Sequence, residues 1–236
     1  MRTSRPTGAG FVLPQRAAEV RCSEAAPQAE EPRWFAAWKR LVDVVLASLG
    51  LMIALPIMVV LAMIIRLDSS GPALYRQERV GRDGRIFRFF KFRTMHVDAR
   101  TRFADLYRYD YSPDEVRGMY FKLAGDPRVT RFGRRLRRTS LDELPNLINV
   151  LLGHMSMVGP RPEIPEMVRH YEPHQLAKFS AKPGLTGLAQ VRGRNTISFQ
   201  ETISHDLEYV ARRSPWLDTV ILVRTPLVVI RMAGAL

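Results

Sequence analysis

A mainly helical α+β fold, held to a membrane by a helix that enters and returns, is predicted by three observations. Residues 41–65 are apolar throughout except for Asp43 and a few small residues. Most of the chain beyond that run carries helical apolar spacing, with no regular alternation of strands and helices. One pair of short extended segments, joined by Gly81-Arg82-Asp83-Gly84, reads as a β-hairpin.

Composition narrows the class. The 236 residues carry a formal net charge of +13, yet 46% of them are hydrophobic. Excess Lys and Arg suits anionic lipid head groups, phosphorylated substrates or nucleic acid. The apolar segment favours the first two over nucleic acid. Cys22 is the single cysteine, which excludes an intrachain disulfide framework and agrees with a reducing compartment.

Taken in order, residues 1–32 are rich in Ala, Arg, Glu and Pro without sustained periodicity, and read as a disordered tail. Residues 33–67 form the membrane element. The apolar run starts too far along the chain, and is too long, for a signal-peptide core. At about 1.5 Å per residue, one straight helix would cross a bilayer core of about 30 Å. Pro56, however, lies in the interior, where it deletes a helical hydrogen bond. Basic residues flank both ends: Arg33, Lys39 and Arg40 before, Arg66, Arg76 and Arg79 after. The positive-inside rule then puts both flanks in the cytoplasm. A re-entrant hairpin broken at Pro56 satisfies both facts, with a kinked single span as the alternative. Asp43 is expensive against lipid, and Lys39 or Arg40 could pair with it across one helical turn.

Residues 68–198 read as one catalytic domain. Extended candidates are Ala73-Leu74-Tyr75 and residues 86–92. Residues 96–124 read as polar helix with a break at Ser112-Pro113. A helix carries Leu144, Leu147, Ile148 and Leu151, and a further one lies near residues 163–180. Pro183-Gly184-Leu185-Thr186-Gly187 makes a loop. Residues 199–236 form a C-terminal amphipathic extension. It opens with a helix over 199–213, and Arg224 and Pro226 interrupt its apolar stretch at 217–232, so a surface-lying helix is expected there.

The candidate site is the start of the helix carrying Leu144. Ser140 with Glu143 reads as a capping box, with Pro145 in the first turn and either Ser140 or Asp142 as N-cap. Asp142 and Glu143 then lie where free N–H groups and the macrodipole gather anions. Arg131, Arg134, Arg135, Arg137 and Arg138 stand directly before them. A carboxylate beside a place built for phosphate suggests attack on phosphorus. Taken alone, Ser, Asp and Glu at a helix start are ordinary capping residues; the arginine block, the Gly159-Pro160-Arg161-Pro162 turn and the membrane segment argue for more. No glycine-rich dinucleotide or Walker-type loop occurs. His170 and His174 are four apart, but Pro173 intervenes and no cysteine is near, which disfavours zinc. Mg²⁺ needs only one or two carboxylates plus phosphate oxygens, which Asp142 or Glu143 could supply.

These residues carry a resemblance. The chain, from about Trp38 onward, resembles the monotopic phosphoglycosyl transferases, bacterial sugar transferases acting on polyprenyl phosphate. The matching pieces are Lys39-Arg40-x-x-Asp43, Asp68-Ser69-x-Gly71-Pro72, Gln77-Glu78-Arg79-Val80-Gly81 and Phe90-Lys91-Phe92-Arg93-Thr94-Met95. They continue with Asp126-Pro127-Arg128-Val129-Thr130, Ser140-Leu141-Asp142-Glu143-Leu144-Pro145, Met155-Ser156-x-Val158-Gly159-Pro160-Arg161-Pro162 and Pro183-Gly184-x-Thr186-Gly187. Members often have Ser-Pro at the membrane break; here Leu55 precedes Pro56.

The resemblance implies transfer of a sugar-1-phosphate from a UDP-sugar to polyprenyl (undecaprenyl) phosphate, with Mg²⁺ and release of UMP, starting exopolysaccharide, O-antigen or capsule assembly. Asp142 would be the nucleophile, forming a covalent phosphosugar–aspartyl intermediate, which divides one hard displacement into two. Glu143 would handle a proton or hold Mg²⁺. Arg137 and Arg161 are the diphosphate candidates through their bidentate forks. Lys91 and Arg93 could contact phosphate or lipid head groups, and Arg128 could bind phosphate or pair with Asp126. The region after Gln190-Val191-Arg192-Gly193-Arg194, with Asp206-x-x-Tyr209, looks like the hexose-1-phosphate transferases, hence glucose or galactose. The implied place is the cytoplasmic (inner) membrane with a cytoplasmic-face site; partners are donor, acceptor and membrane lipids, without nucleic acid, and a homodimer is left open. The competing reading is a non-catalytic basic module binding acidic lipid or glycan intermediates, for which paired carboxylates have no use.

Overall fold

The computed structural model describes residues 31–120, 125–193 and 196–233, so nearly all of the predicted tail, and Arg194, lie outside it. The described residues are mainly helical, with one long apolar helix at the N-terminal end and two small two-stranded sheets.

Helix α1 (Arg33–Asp68) is a single 36-residue helix with Pro56 inside it. The two separate helices expected on either side of Pro56 are therefore not seen: an interior proline removes one hydrogen bond and can leave the helix running. The buried residues of α1, Phe35, Asp43, Ala47, Ala54, Leu61 and Ile65, recur at helical intervals and share one face. Ala47 and Leu51 pack with Leu147, Val150 and Met155, while Leu61 and Ile65 pack with Phe92 and Leu136; Leu144 touches both clusters. The remaining faces expose apolar side chains, among them Met52, Ile53 and Leu67. This is the single helix long and apolar enough to cross a membrane among the described residues.

Both ends of α1 are pinned to the same body. Lys39 Nζ lies 2.6 Å from Asp218 Oδ2 and donates to Tyr209 OH at 3.2 Å. Arg40 donates to the carbonyls of Val150 and Leu151 at 2.7 and 2.6 Å. Asp43 accepts from Ser156 Oγ at 2.9 Å and Met157 N at 2.8 Å. The expected pairing of Asp43 with Lys39 or Arg40 is thus replaced by longer-range partners, which serve burial better than one helical turn could. At the other end Arg93, 5% exposed, donates to the carbonyls of Pro72 (2.8 Å), Ser70 (2.6 Å), Ser69 (2.7 Å) and Ile65 (3.3 Å).

The predicted hairpin is present. Strands β1 (Leu74–Val80) and β2 (Ile86–Phe92) pair antiparallel with Leu74 opposite Phe92 and Val80 opposite Ile86. The connection turns through Asp83 and Gly84 at φ 57° and 77°, the left-handed region that glycine and aspartate tolerate best. Residues 96–120 are less helical than expected, and 121–124 lie outside the described residues: α2 (Ala99–Arg102), a 3-10 turn at Ala104–Tyr107 and α3 (Pro113–Gly118). Ser112-Pro113 begins α3, with Ser112 as cap, instead of breaking a helix.

The arginine block forms a helix of its own, α4 (Arg131–Thr139), capped by the Thr130 side chain on Gly133 N. Gly133 is required there, since a Cβ would lie 2.2 Å from Thr94 O. Ser140, at φ 58°, closes α4 in the left-handed conformation and caps nothing with its side chain. The predicted capping box with Glu143 is not formed, because ending α4 claims the Ser140 backbone first. A 3-10 turn at Leu141–Glu143 leads into α5 (Asn146–Leu151), which has Pro145 at its N-cap.

Strand β3 (Ser156–Val158) pairs parallel with β4 (Gly184–Thr186), where a loop was expected. Two 3-10 segments, Pro165–His170 and Pro173–Ser180, replace the helix expected near 163–180, each started by its proline. Helices α6 (Leu188–Arg192), α7 (Phe199–Arg212) and α8 (Pro215–Ala233) complete the chain. α7 carries a Ser198–Glu201 capping box. α8 buries Asp218 and Ile221 and exposes Trp216, Val223, Leu227 and Ile230.

Candidate active site

The 3-10 turn at Leu141–Glu143 sits between α4 and α5 and is roofed by β2. Asn146, fully buried, fixes this arrangement: its Oδ1 accepts from Phe90 N and from Asn149 Nδ2, each at 3.1 Å. Strand alternation then places Lys91 above the turn. Asp142 is buried at 9% exposure; Glu143 is about one-third exposed.

Three cations converge on the two carboxylates. Lys91 Nζ stands 5.3 Å from the Tyr75 ring centroid. Burial and the neighbouring Arg79 and Arg137 guanidiniums pull its pKa down to about 7, against the opposing pull of Asp142 and Glu143. Arg137 donates from Nε to Thr94 Oγ1 at 2.9 Å and is held below the usual arginine value chiefly by burial, with Asp142 and Asp126 opposing. Arg161 reaches within 4.0 Å of Glu143 Oε1.

The turn that carries Arg161 is positioned by backbone crossing. Gly159 N donates to Thr186 O at 2.9 Å, and Gly184 N to Pro160 O at 2.9 Å. A Cβ on Gly184 would lie 2.1 Å from Gly159 N, and one on Gly187 2.2 Å from Gly159 O. Behind it runs a buried polar chain. Lys178 Nζ pairs with Asp206 Oδ2 at 2.8 Å and donates to Tyr171 OH at 3.1 Å. Tyr171 OH in turn donates to Glu163 Oε2 at 2.9 Å. Asp206 Oδ1 accepts from Arg161 N at 3.4 Å.

The structure thus brings Asp142, Glu143, Lys91, Arg137 and Arg161 together. Of the other two expected phosphate residues, Arg93 is set apart, while Arg128 adjoins the group through Asp126, whose Oδ2 lies 3.8 Å from Arg137 Nη1. Arg93 has its donors engaged by the carbonyls at the end of α1. Arg128 is in a bidentate pair with Asp126, both contacts 2.8 Å, and lies over the Tyr107 ring at 4.9 Å. Its pKa is raised by that pair, as the Asp126 carboxyl is lowered. Of its two expected roles, the pairing with Asp126 is present.

Two residues of the cleft escaped sequence reasoning. Arg79 donates to Pro162 O and Gln77 Oε1, both 3.1 Å, with its guanidinium 5.4 Å from the Phe89 centroid. Gln190, on α6, lines the same cleft with Glu143, Arg161 and Leu185. Arg79 stands within a matching motif, but its basic charge reads as a membrane flank. Gln190 offers no charge or spacing signal.

No group of three or more His, Cys, Asp or Glu suited to a metal occurs among the described residues. The two adjacent carboxylates Asp142 and Glu143 fit Mg²⁺, which keeps waters and takes phosphate oxygens as ligands.

Residues 34–232 match the family described as bacterial sugar transferase. The chain belongs to this family. Among its relatives, galactosyl transferase CpsE of Streptococcus agalactiae is 44% identical over 198 residues, covering 84% of this chain and 43% of that protein. UDP-glucose:undecaprenyl-phosphate glucose-1-phosphate transferase of Caulobacter vibrioides is 43% identical over 195 residues, covering 79% and 67%. Exopolysaccharide production protein ExoY of Rhizobium meliloti is 36% identical over 187 residues, covering 79% and 83%. The chain therefore spans about two-fifths of the longer relatives, and most of the shorter ones. In this bacterial sugar transferase the matched region contains every residue of the cleft.

Proposed function

We propose that this protein transfers a hexose-1-phosphate from a UDP-hexose to polyprenyl phosphate on a membrane surface, releasing UMP. The observation that carries the reading is the buried Asp142 carboxylate beside Lys91 and Arg137, with Glu143 and Arg161 opening into the adjoining cleft. The activities named for the relatives, galactosyl and glucose-1-phosphate transfer, support the reaction class and the hexose.

In the first step an Asp142 carboxylate oxygen forms a bond to the phosphorus that bears the sugar, and the bond from that phosphorus to the UMP oxygen breaks. In the second, a phosphate oxygen of the polyprenyl acceptor attacks the same phosphorus and the Asp142 carboxylate leaves, giving the polyprenyl diphosphate sugar. Lys91, Arg137 and Arg161 neutralise phosphate charge, the dominant requirement of phosphoryl transfer. Glu143 accepts the acceptor's proton where it is protonated. Mg²⁺, held by Glu143 or Asp142 and the donor phosphates, would supply further charge neutralisation.

The docking of both ends of α1 on one body supports a monotopic arrangement with both flanks on one face of the membrane, the cytoplasmic inner-membrane face. The apolar faces of α1 and α8 contact lipid, and α1 either dips and returns at Pro56 or lies in the bilayer surface.

Purified protein in nanodiscs, given Mg²⁺, undecaprenyl phosphate and UDP-glucose or UDP-galactose, is expected to release UMP and to lose that activity in Asp142→Asn. Release of UDP would mean glycosyl transfer instead. No release with any donor, together with polyanion binding undiminished in Asp142→Asn, would support the non-catalytic basic module.

A further inference from the structure

Helix α4 uses its five arginines in two ways. Arg137 turns inward and donates to Thr94 Oγ1 beside the carboxylates. Arg131, Arg134, Arg135 and Arg138 are exposed. Their spacing along the helix puts all four on one face. No acidic side chain pairs with any of them among the described residues; the ion pairs nearby belong to Arg128, Arg137 and Arg161. Such a stripe is costly by itself. Arginines three and four apart repel one another, and Arg131 stands in the first turn, at the positive end of the helix dipole. The helix has nine residues, too few to be stable without support, and Phe132 and Leu136 are its apolar anchors. An anionic surface against the stripe would replace this repulsion with attraction.

The place of α4 in the fold selects the partner. Phe132 and Leu136 pack on Leu61 and Ile65, in the last turns of α1, where Met63, Ile64 and Leu67 expose apolar side chains. α4 also lies against α8, which exposes Val223, Leu227 and Ile230. Arg66 and Arg224 stand exposed on those two helices. Arginines fringing an exposed apolar surface match the boundary between acyl chains and head groups. We propose that Arg131, Arg134, Arg135 and Arg138 seat α4 on anionic lipid head groups, and with it the Leu141–Glu143 turn that follows. This rests on the membrane-surface reading above and adds to it a dependence on lipid charge.

The test uses the full chain in nanodiscs of phosphatidylcholine, alone or mixed with phosphatidylglycerol, and follows amide hydrogen exchange by mass spectrometry. In the wild-type protein, exchange over residues 131–139 is expected to slow about tenfold in the mixed discs, with that of α7 unchanged. Raising salt to about 1 M, where the screening length falls to about 3 Å, should remove the difference. The variant Arg131→Gln/Arg134→Gln/Arg135→Gln/Arg138→Gln is expected to lose the response. Its repulsion relieved, it should melt in phosphatidylcholine discs no lower than the wild type, which shows that it folds. The corresponding four Arg→Lys changes keep the charge and should keep the response. Equal exchange of α4 in both kinds of disc would overturn the proposal. So would a response that persists in the glutamine variant, since other cations would then carry it. Slowing by a short oligonucleotide in phosphatidylcholine discs, without slowing by phosphatidylglycerol, would overturn it in favour of a soluble polyanion. None of these measurements needs substrate, so UMP release assayed in parallel judges the transfer reading separately.

Discussion

The ends of α1 and the cleft at Asp142 contain the same kinds of side chain and use them in opposite ways. At the ends of α1 every charge named has a partner of matching geometry. Lys39 meets Asp218, Arg40 closes α5, and Arg93 gathers the carbonyls that finish the helix. In the cleft, cations outnumber near carboxylates, and the pKa of one lysine is pulled down to about 7. Matched pairs hold the frame; an excess of cations lines the cleft. Lys91 and Arg93, two residues apart in one motif, fall on opposite sides of this line.

The largest effect that could break the contrast is in the cleft. Asp142→Asn should lower UMP release by about 10³-fold or more while the thermal midpoint moves by only a few degrees, about 3 °C or less. Assay and melting curve together check this, and a large loss of stability would make Asp142 part of the frame.

Arg93→Met should do the reverse. Removing the guanidinium leaves several buried carbonyls unpaired, at a cost of about 3 kcal/mol, read by denaturant unfolding, with the activity per folded molecule kept. Loss of activity at unchanged stability would move Arg93 into the site.

Arg161→Ala should lower kcat/KM about 10- to 100-fold and change stability by less than about 0.5 kcal/mol, because its contact with Glu143 is long and partly exposed.

The smallest effect sharpens the comparison through pH. The Lys91 pKa in the folded protein, about 7, lies below its ordinary value of 10.5. Between those values the unfolded chain binds the proton and the folded one does not, so stability contributed by this group rises with pH. Lys91→Met should therefore raise the melting temperature at pH 6 and raise it progressively less toward pH 10. A pH-independent difference would mean that Lys91 is not desolvated.

How much of this is legible in the sequence depends on whether the deciding interaction is local. The β1–β2 hairpin and α7 are legible in Gly81-Arg82-Asp83-Gly84 and in amphipathic spacing, signals carried within a few residues. The family motifs contain Asp142, Glu143, Arg161 and Lys91, and the arginine block contains Arg137; the fold gathers all five. Ser140 misleads because its spacing to Glu143 satisfies a capping box, while the backbone there is taken by the end of α4, a helix whose arginine-rich sequence has only Phe132 and Leu136 as apolar anchors. Strands β3 and β4, three residues each, are too short to show alternation. The partners of Arg93 lie at the end of α1 and beyond it, more than twenty residues away, and no periodicity reports them.

The pinning of α1 also has a consequence for how the chain is made. Lys39 finds Asp218 across 179 positions, and Asp43 finds Met157 across 114. A ribosome adding about 5 to 20 residues per second separates Lys39 from its partner by roughly ten to forty seconds. Until Phe92, Leu136 and the residues of α5 have been made, the helix has no protein surface to cover its docking face. The bilayer is the available shelter, so the segment is a membrane guest before it becomes a core helix. Deleting it to obtain a freely soluble enzyme would therefore strip Asp218, Ser156 and the carbonyls of α5 of their partners together, and the remaining chain would lose a wall of its own interior.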